Sequence, residues 1–473
     1  MKETSRFYSS LSLLIVLNAI VKPIWIFGID RQVQNEVGVA AYGTYFSILN
    51  LSIVLSFLTD WGLTVFYNRH LAAKNEMISG TTVSFILLKL LFALLYGAII
   101  FLVAFISGIK RWDIVLYVAL IQVLTSLFVF FRAIITSQQW FYTEAWLSVL
   151  DKLFMIFICI PFLYFPSGKM TIERFLLLQV TCTASAMLVA LGILLIKKFN
   201  FSFKKLWPGS YVLKAALPFA IIVLLMSFHF RIDGFLLERI SGAGEAGKYA
   251  GAYRLLDAAN MIGYLFASFL LPYIARNQND HKIITNVVLN VRHVLIVFSI
   301  TICCMVIFLA PWIQKILYHH NEAGYIEVLQ WCLPALIGYS LTQIYGSVMT
   351  ATGHIVAFIY ITLASVVINI VINILLIPSL GAKGSCLAAL ISQLLCGTAT
   401  IWYCRKKLNI PVDIRSGLLY IFIGALLCGV LYVSQSWQFN NWMVIIITGI
   451  TTLILLWLTK LVDLRTWKTS ARH

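Results

Sequence analysis

The chain is a succession of long apolar runs, and that feature excludes most folds. From about residue 9 to residue 461 the sequence alternates apolar stretches of some twenty residues with short polar connections. About twenty mostly apolar residues in a helix span the hydrocarbon core of a bilayer. About fourteen stretches qualify: 9–29, 41–66, 79–107, 112–137, 146–165, 174–196, 212–233, 247–272, 284–310, 326–350, 354–377, 383–404, 416–434 and 441–461. The runs are continuous rather than alternating, which selects helices over barrel strands. Hydrophobic residues make up 61% of the chain and charged residues 11%, far below the roughly 25% of a soluble domain. The expected class is therefore an all-α polytopic membrane protein.

The lysines and arginines set its orientation. About 21 of them fall in connections on one side, Lys152 and Arg292 included, and about 9 on the other. The richer side is read as cytoplasmic, which places both termini there. The net charge of +17 is thereby assigned to topology, and no nucleic-acid partner is expected. The first run follows Lys2 and Arg6, has no small-residue cleavage site and is interrupted by Lys22-Pro23. It reads as a retained span rather than a signal peptide. The nine cysteines lie in or at the ends of apolar runs without zinc or CxxC spacing. They read as packing residues with no disulfide framework. His319-His320 lacks a third ligand nearby, so no metal site is expected.

Two features suggest an internal repeat. A basic connection, Lys197 to Lys214, separates spans six and seven, and Gly43-Thr44-Tyr45 recurs as Gly247-Lys248-Tyr249, 204 residues later. Six spans per repeat is an even number, so both halves run the same way through the membrane around a central cavity. The expected organisation is two six-helix lobes, 1–198 and 212–408, joined by a cytoplasmic linker at 199–211. Two additional transmembrane helices follow at 409–473. The linker mixes lysines with Phe and Trp, so it reads either as a plain connection or as a segment lying on an anionic leaflet.

Charges inside spans are costly and usually face a protein interior or a wet cavity. Arg254 and Asp257 share a helix face at i, i+3 spacing, as a neutral pair or as a cavity cation with a titratable partner. Arg231 and Asp233, just after His229, end span seven. Lys22 lies about 10 Å from the outer boundary and precedes Pro23, which kinks a helix. Lys89 and Arg132 lie nearer the inner boundary, within snorkelling reach. Asp60 closes span two as a cap, a turn residue or a charge partner. Lys22, Lys89, Arg132, Arg231 and Arg254 outnumber Asp60, Asp233 and Asp257. A positive excess suits an anionic substrate such as a pyrophosphate. The three carboxylates are candidates to bind a coupling H+ or Na+.

Arg231-Ile-Asp233, Gly244-Glu-Ala-Gly247-Lys-Tyr249, Ala252-Tyr253-Arg254-Leu255 and Leu271-Pro272 together resemble the polysaccharide (O-antigen) flippase family. This family belongs to the multidrug/oligosaccharidyl-lipid/polysaccharide exporter superfamily. Gly43-Thr-Tyr45 and Asp60-Trp-Gly62-Leu63 look like its N-terminal half. The resemblance implies fourteen helices, twelve of them in two lobes. It implies alternating-access transfer of undecaprenyl-pyrophosphate-linked oligosaccharide across the bacterial inner membrane, with Arg231 and Arg254 facing the pyrophosphate. It also implies contacts with membrane lipids and other polysaccharide-assembly proteins, and a transporter without a cofactor rather than an enzyme.

Three alternatives stay open. An ion-coupled drug or organic-cation antiporter of the same superfamily predicts a cavity dominated by carboxylates. A flippase for the cell-wall precursor predicts an essential phenotype. A membrane glycosyltransferase or polymerase predicts a long acidic outer loop, which the sequence lacks, as it lacks a Walker A segment.

Overall fold

A computed structural model describes residues 2–72, 81–165, 169–201, 209–276, 280–319, 322–459 and 461. Helix is the only regular structure among these residues. The chain divides into two compact units, Met1–Gly247 and Lys248–His473.

The first unit begins with α1 (Lys2–Pro23), which continues through a π-helical stretch (Ile24–Asp30) into α2 (Arg31–Val37). Pro23 cannot donate to the helical ladder, and the widened turns after it absorb the disruption. Next come α3 (Val39–Leu55), a 3-10 turn (Ser56–Thr59), α4 (Leu63–Ala72), α5 (Thr82–Ile106) and α6 (Trp112–Ser137). α7 (Phe141–Tyr164), α8 (Ile172–Ile196), α9 (Gly209–Ser241) and the start of α10 (Ala243–Arg276) complete it. Its core gathers Leu63 and Tyr67 of α4, Phe85 and Leu88 of α5, Phe130 and Ile134 of α6, and Ala186 and Ala190 of α8. The small α8 residues let neighbouring helices approach closely, as membrane packing requires.

The second unit holds the rest of α10, α11 (His281–Tyr318), α12 (Ala323–Cys332), α13 (Ala335–Ala351), α14 (Ile355–Leu380) and α15 (Ala382–Leu408). The last two helices, α16 (Ile414–Ser436) and α17 (Asn441–Thr459), follow. Gly338 of α13 packs on the α15 backbone at Gln393, 2.5 Å from where a Cβ would sit. Val297, Cys304 and Leu309 of α11 form a second core with Ile423, Leu427 and Leu431 of α16 and Val444 and Leu455 of α17. The two additional helices are thus tied to α11.

Thirteen helices among the described residues are long and apolar enough to cross a bilayer. The tenth expected span, 326–350, is present as α12 and α13, broken at Leu333-Pro334 where the proline interrupts the ladder. The chain is a multi-pass, all-α membrane protein.

Of the boundaries that differ from the sequence reading, four bear on charged residues. Span two ends at Thr59, and Asp60-Trp61-Gly62 forms a turn with Trp61 and Gly62 at φ 48 and 73. Span five starts at Phe141 rather than 146, which brings Glu144 into the helix beside Lys152. Span seven runs on to Ser241, which sets Arg231 and Asp233 inside it rather than at its end. Span nine extends over His281–Tyr318 and draws in Lys282 and Lys315.

Most of the linker expected at 199–211 (202–208) lies outside the described residues, and α9, which follows it, belongs to the first compact unit. Within that unit α9 packs along α3. A Cβ on Gly234 would collide with Phe46 and Asn50, and the Ala216 carbonyl oxygen is 3.2 Å from a Cβ position on Gly62.

Candidate functional site

The first unit concentrates charge where α1, α6 and α7 meet. Asn18 of α1 donates to the Leu14 carbonyl and to Ser148 Oγ of α7, both at 2.8 Å, which pins the two helices together. One turn further along each helix stand Lys22 and the Asp151-Lys152 pair. Lys152 Nζ is 3.1 Å from Asp151 Oδ2 and 5.1 Å from the centre of the Trp25 ring. Trp25 in turn stacks on Phe175 of α8 at 5.9 Å. Arg132 of α6 grips Glu144 of α7 through Nε at 3.1 Å and Nη2 at 2.5 Å. Arg132, Asp151 and Lys152 are all close enough to Lys22 to act on its charge.

The cluster therefore holds three cations and two carboxylates. Glu144 neutralises Arg132, and Asp151 faces Lys152. Lys22 makes no ion pair with a described residue. At this depth an ammonium without a fixed partner attracts any oxyanion that reaches it, and an adjacent guanidinium can offer planar, two-pronged recognition.

A second group neutralises itself. Lys89 of α5 is 1% exposed and pairs directly with Asp60. Its Nζ also reaches Thr64 Oγ1 at 3.2 Å and lies 5.6 Å from the Phe130 ring centre. Asp60 accepts from the Thr64 N–H at 3.3 Å, so one carboxylate both caps the first turn of α4 and answers a buried ammonium.

Of the remaining sequence candidates, Arg231 and Asp233 sit on α9 in the first unit, and Arg254 and Asp257 sit on α10 in the second. Asp233 and the nearby His229 are fully buried, whereas Arg231, Arg254 and Asp257 are half-buried. α10 starts at Ala243 rather than at the expected 247, so by helical rise Arg254 lies about 16 Å from its start instead of about 10 Å.

The sequence reading missed Glu144, Asp151, Lys152 and Asp30. Asp30 is 2% exposed and accepts from the Tyr42 hydroxyl at 2.8 Å. The one local signal for the α7 residues is the Gln138-Gln139-Trp140 turn, with Gln139 at φ 60, which starts α7 before Glu144.

The second unit carries an uncharged polar ladder. Asn369 of α14 donates to Ser392 of α15 at 3.2 Å, Asn373 to Asn369 Oδ1 at 3.2 Å, and Ser385 to Asn373 Oδ1 at 3.0 Å. Among the described residues no three His, Cys, Asp or Glu side chains gather in a way that could hold a metal ion.

A family model described as polysaccharide biosynthesis protein matches residues 8–278. No curated protein sequence matches the chain. Among solved structures, the lipid II flippase MurJ in an inward closed conformation superposes with a TM-score of 0.75 at 13% identity, over 94% of this chain and 97% of that one. An inward-facing multidrug resistance MATE family transporter of the MOP superfamily gives 0.63 at 14% identity, over 84% and 94%. A MOP superfamily transporter from Pyrococcus furiosus, described as having a binding pocket of reverse polarity, gives 0.59 at 14% identity, over 86% and 96%. At such identities these likenesses establish the fold.

Proposed function

The chain belongs to the polysaccharide biosynthesis protein family, and from that premise we propose that it is a flippase for a lipid-linked oligosaccharide. The cargo is the undecaprenyl-pyrophosphate-linked repeat unit of O-antigen or another surface polysaccharide. It moves from the cytoplasmic to the outer face of the bacterial inner membrane by alternating access, and both termini of the protein stay in the cytoplasm. The protein performs no bond chemistry.

The observation that carries this reading is the cluster of Lys22, Arg132 and Lys152, which exceeds its carboxylates by one charge. A drug-cation antiporter would need the opposite balance. A pyrophosphate presents several anionic oxygens at once and matches an ammonium beside a guanidinium. Arg231 and Arg254 are further head-group contacts in this reading. Asp233 and Asp257 are the candidates to bind the coupling H+ or Na+. Lys89 and Asp60 support the fold beside the site. Directional transfer requires the head group to bind the two access states differently.

The test is the sidedness of lipid-linked oligosaccharide after depletion of the protein in its host. Accumulation on the cytoplasmic leaflet with loss of surface glycan supports the assignment, and mass identifies the cargo. Accumulation of cell-wall precursor instead reassigns the cargo. Normal sidedness with intact glycan overturns the flippase reading.

A further inference from the structure

The second unit contains a buried guanidinium that no described carboxylate answers. Arg292 of α11 is 4% exposed. Its Nη1 donates to the Tyr345 hydroxyl of α13 at 3.3 Å, and Tyr420 of α16 lies close by. Its Nε has no hydrogen-bond partner among the described residues, and the side chain forms no ion pair with them. Beside it, His293 Nδ1 shares a 2.7 Å hydrogen bond with the Tyr420 hydroxyl. A cation left this way in a membrane helix is expensive unless an anion visits it.

Toward the start of α11 the same faces open into a cavity. Arg292 continues the stripe of His281, Thr285 and Val288, and His293 continues that of Lys282, Asn286 and Leu289, by helical spacing. A cavity of about 300 Å3 is lined by His281, Lys282, Thr285, Asn286, Asn409 and Pro411. His281 donates through Nε2 to the Leu408 carbonyl at 2.6 Å and fixes the start of α11 against the end of α15. That last turn of α15 carries Arg405, Lys406 and Lys407. The two acids at this end are committed to helix caps. Asp280 Oδ1 accepts from the Ile283 N–H and Asp413 Oδ1 from the Arg415 N–H, both at 3.0 Å. Asp413 is also the acid closest in effect to His293.

We propose that the cleft between the start of α11 and the α15–α16 connection binds a phosphate-bearing anion, supplied by the head group of an acidic membrane lipid. Lys282 meets the phosphate at the mouth, and Asn286 and Asn409 offer amide donors; Arg292, two turns further along α11 and outside the cavity lining, adds its charge from about 10 Å away. The site ties α11, α15 and α16 together at the membrane surface where the basic loop residues concentrate. It does not depend on the transport reading.

The experiment is a thermal melt of the full-length protein in detergent, titrated with phosphatidylglycerol, with phosphatidylcholine and with inorganic phosphate. Phosphatidylglycerol should raise the melting temperature more than phosphatidylcholine. Lys282→Gln should weaken the apparent phosphatidylglycerol affinity about tenfold, the expected loss of one charge-assisted contact, and Arg292→Gln about twofold, since its charge acts on the cleft from about 10 Å. Lys282→Gln and Asn286→Asp lie at exposed positions, so they fold whatever the fate of Arg292→Gln, and they should weaken it in the same direction. Stabilisation by inorganic phosphate alone, lost in these variants, would support the site and assign it a soluble ligand. Equal responses to the two lipids, or variants that respond as the parent does, would overturn it.

Discussion

Gly43 and Gly247 stand in a reciprocal backbone contact. A Cβ on Gly43 would overlap the carbonyl oxygen of Ala243, and a Cβ on Gly247 would overlap that of Val39. Each glycine thus meets the residue four positions before the other. The relation extends backwards, since Gly38 and Gly242 precede the two helices with φ 87 and 88. It extends forwards as well, since Tyr45 and Tyr249 are both buried. The 204-residue repeat that the sequence hints at is therefore a physical contact: the start of α3 lies against the start of α10 with no room for a side chain.

This contact predicts non-additive substitutions. Gly43→Ala and Gly247→Ala should each cost about 1–3 kcal/mol, the usual range for overpacking a tight site. The double variant should cost less than the sum, because the first methyl already separates the two helix starts. Denaturation midpoints of the single and double variants in detergent measure the coupling. Strict additivity would show that the two glycines do not share one contact.

Lys22 should affect cargo rather than folding. It makes no ion pair with a described residue, so Lys22→Gln removes charge without stranding a described carboxylate. Transport or head-group affinity should fall about tenfold or more, the worth of a charge-assisted hydrogen bond, with an unchanged melting temperature. Lys22→Arg should retain most activity. Flipping assays in vesicles at matched protein levels check both. A Lys22→Gln protein that transports normally would remove Lys22 from the site.

Lys89 should show the opposite pattern. Its ammonium is buried against Asp60. Breaking such a pair leaves an uncompensated charge, so Asp60→Leu should cost about 3 kcal/mol or more, including the lost cap on α4. Adding Lys89→Met to Asp60→Leu should recover much of the loss, because no unpaired charge then remains buried. Melting temperatures across this cycle separate the structural pair from a substrate contact. Failure of the double variant to recover would mean that the ammonium is satisfied by other groups.

The helices were legible because span length is a hard constraint, while the helix ends were not. Tyr142, Thr143 and Glu144 read as a polar connection in sequence, yet Glu144 is buried within α7 because Arg132, twelve residues away on α6, neutralises it. That compensation is non-local, so no window along the chain reveals it. Misplacing the start of α7 left Glu144 in a connection, and counting Lys152 with the connection charges although it falls within 146–165 hid the cluster around Lys22. Lys22, Lys89 and Arg132 were found because an isolated charge in an apolar run is a local signal. Which of them has a partner depends on tertiary contacts. Pro334, inside the expected span 326–350, divides it into α12 and α13, a break that span length alone does not reveal.

Glu144 gives the sharpest test of how the cluster releases its cargo. Its carboxylate holds Arg132 through two nitrogens, Nε at 3.1 Å and Nη2 at 2.5 Å. A bound pyrophosphate would compete with that carboxylate for the same guanidinium, and Glu144 would reclaim it as the head group leaves. Glu144→Gln keeps the shape and removes the competitor. Head-group affinity should rise about fivefold, equivalent to roughly 1 kcal/mol for a partly exposed ion pair. Turnover should fall, because tighter binding in the ground state slows release. Equilibrium binding of lipid-linked pyrophosphate and single-turnover flipping, measured side by side, read the two effects separately. If affinity and turnover fell together, Glu144 would be positioning Arg132 for the cargo rather than competing with it.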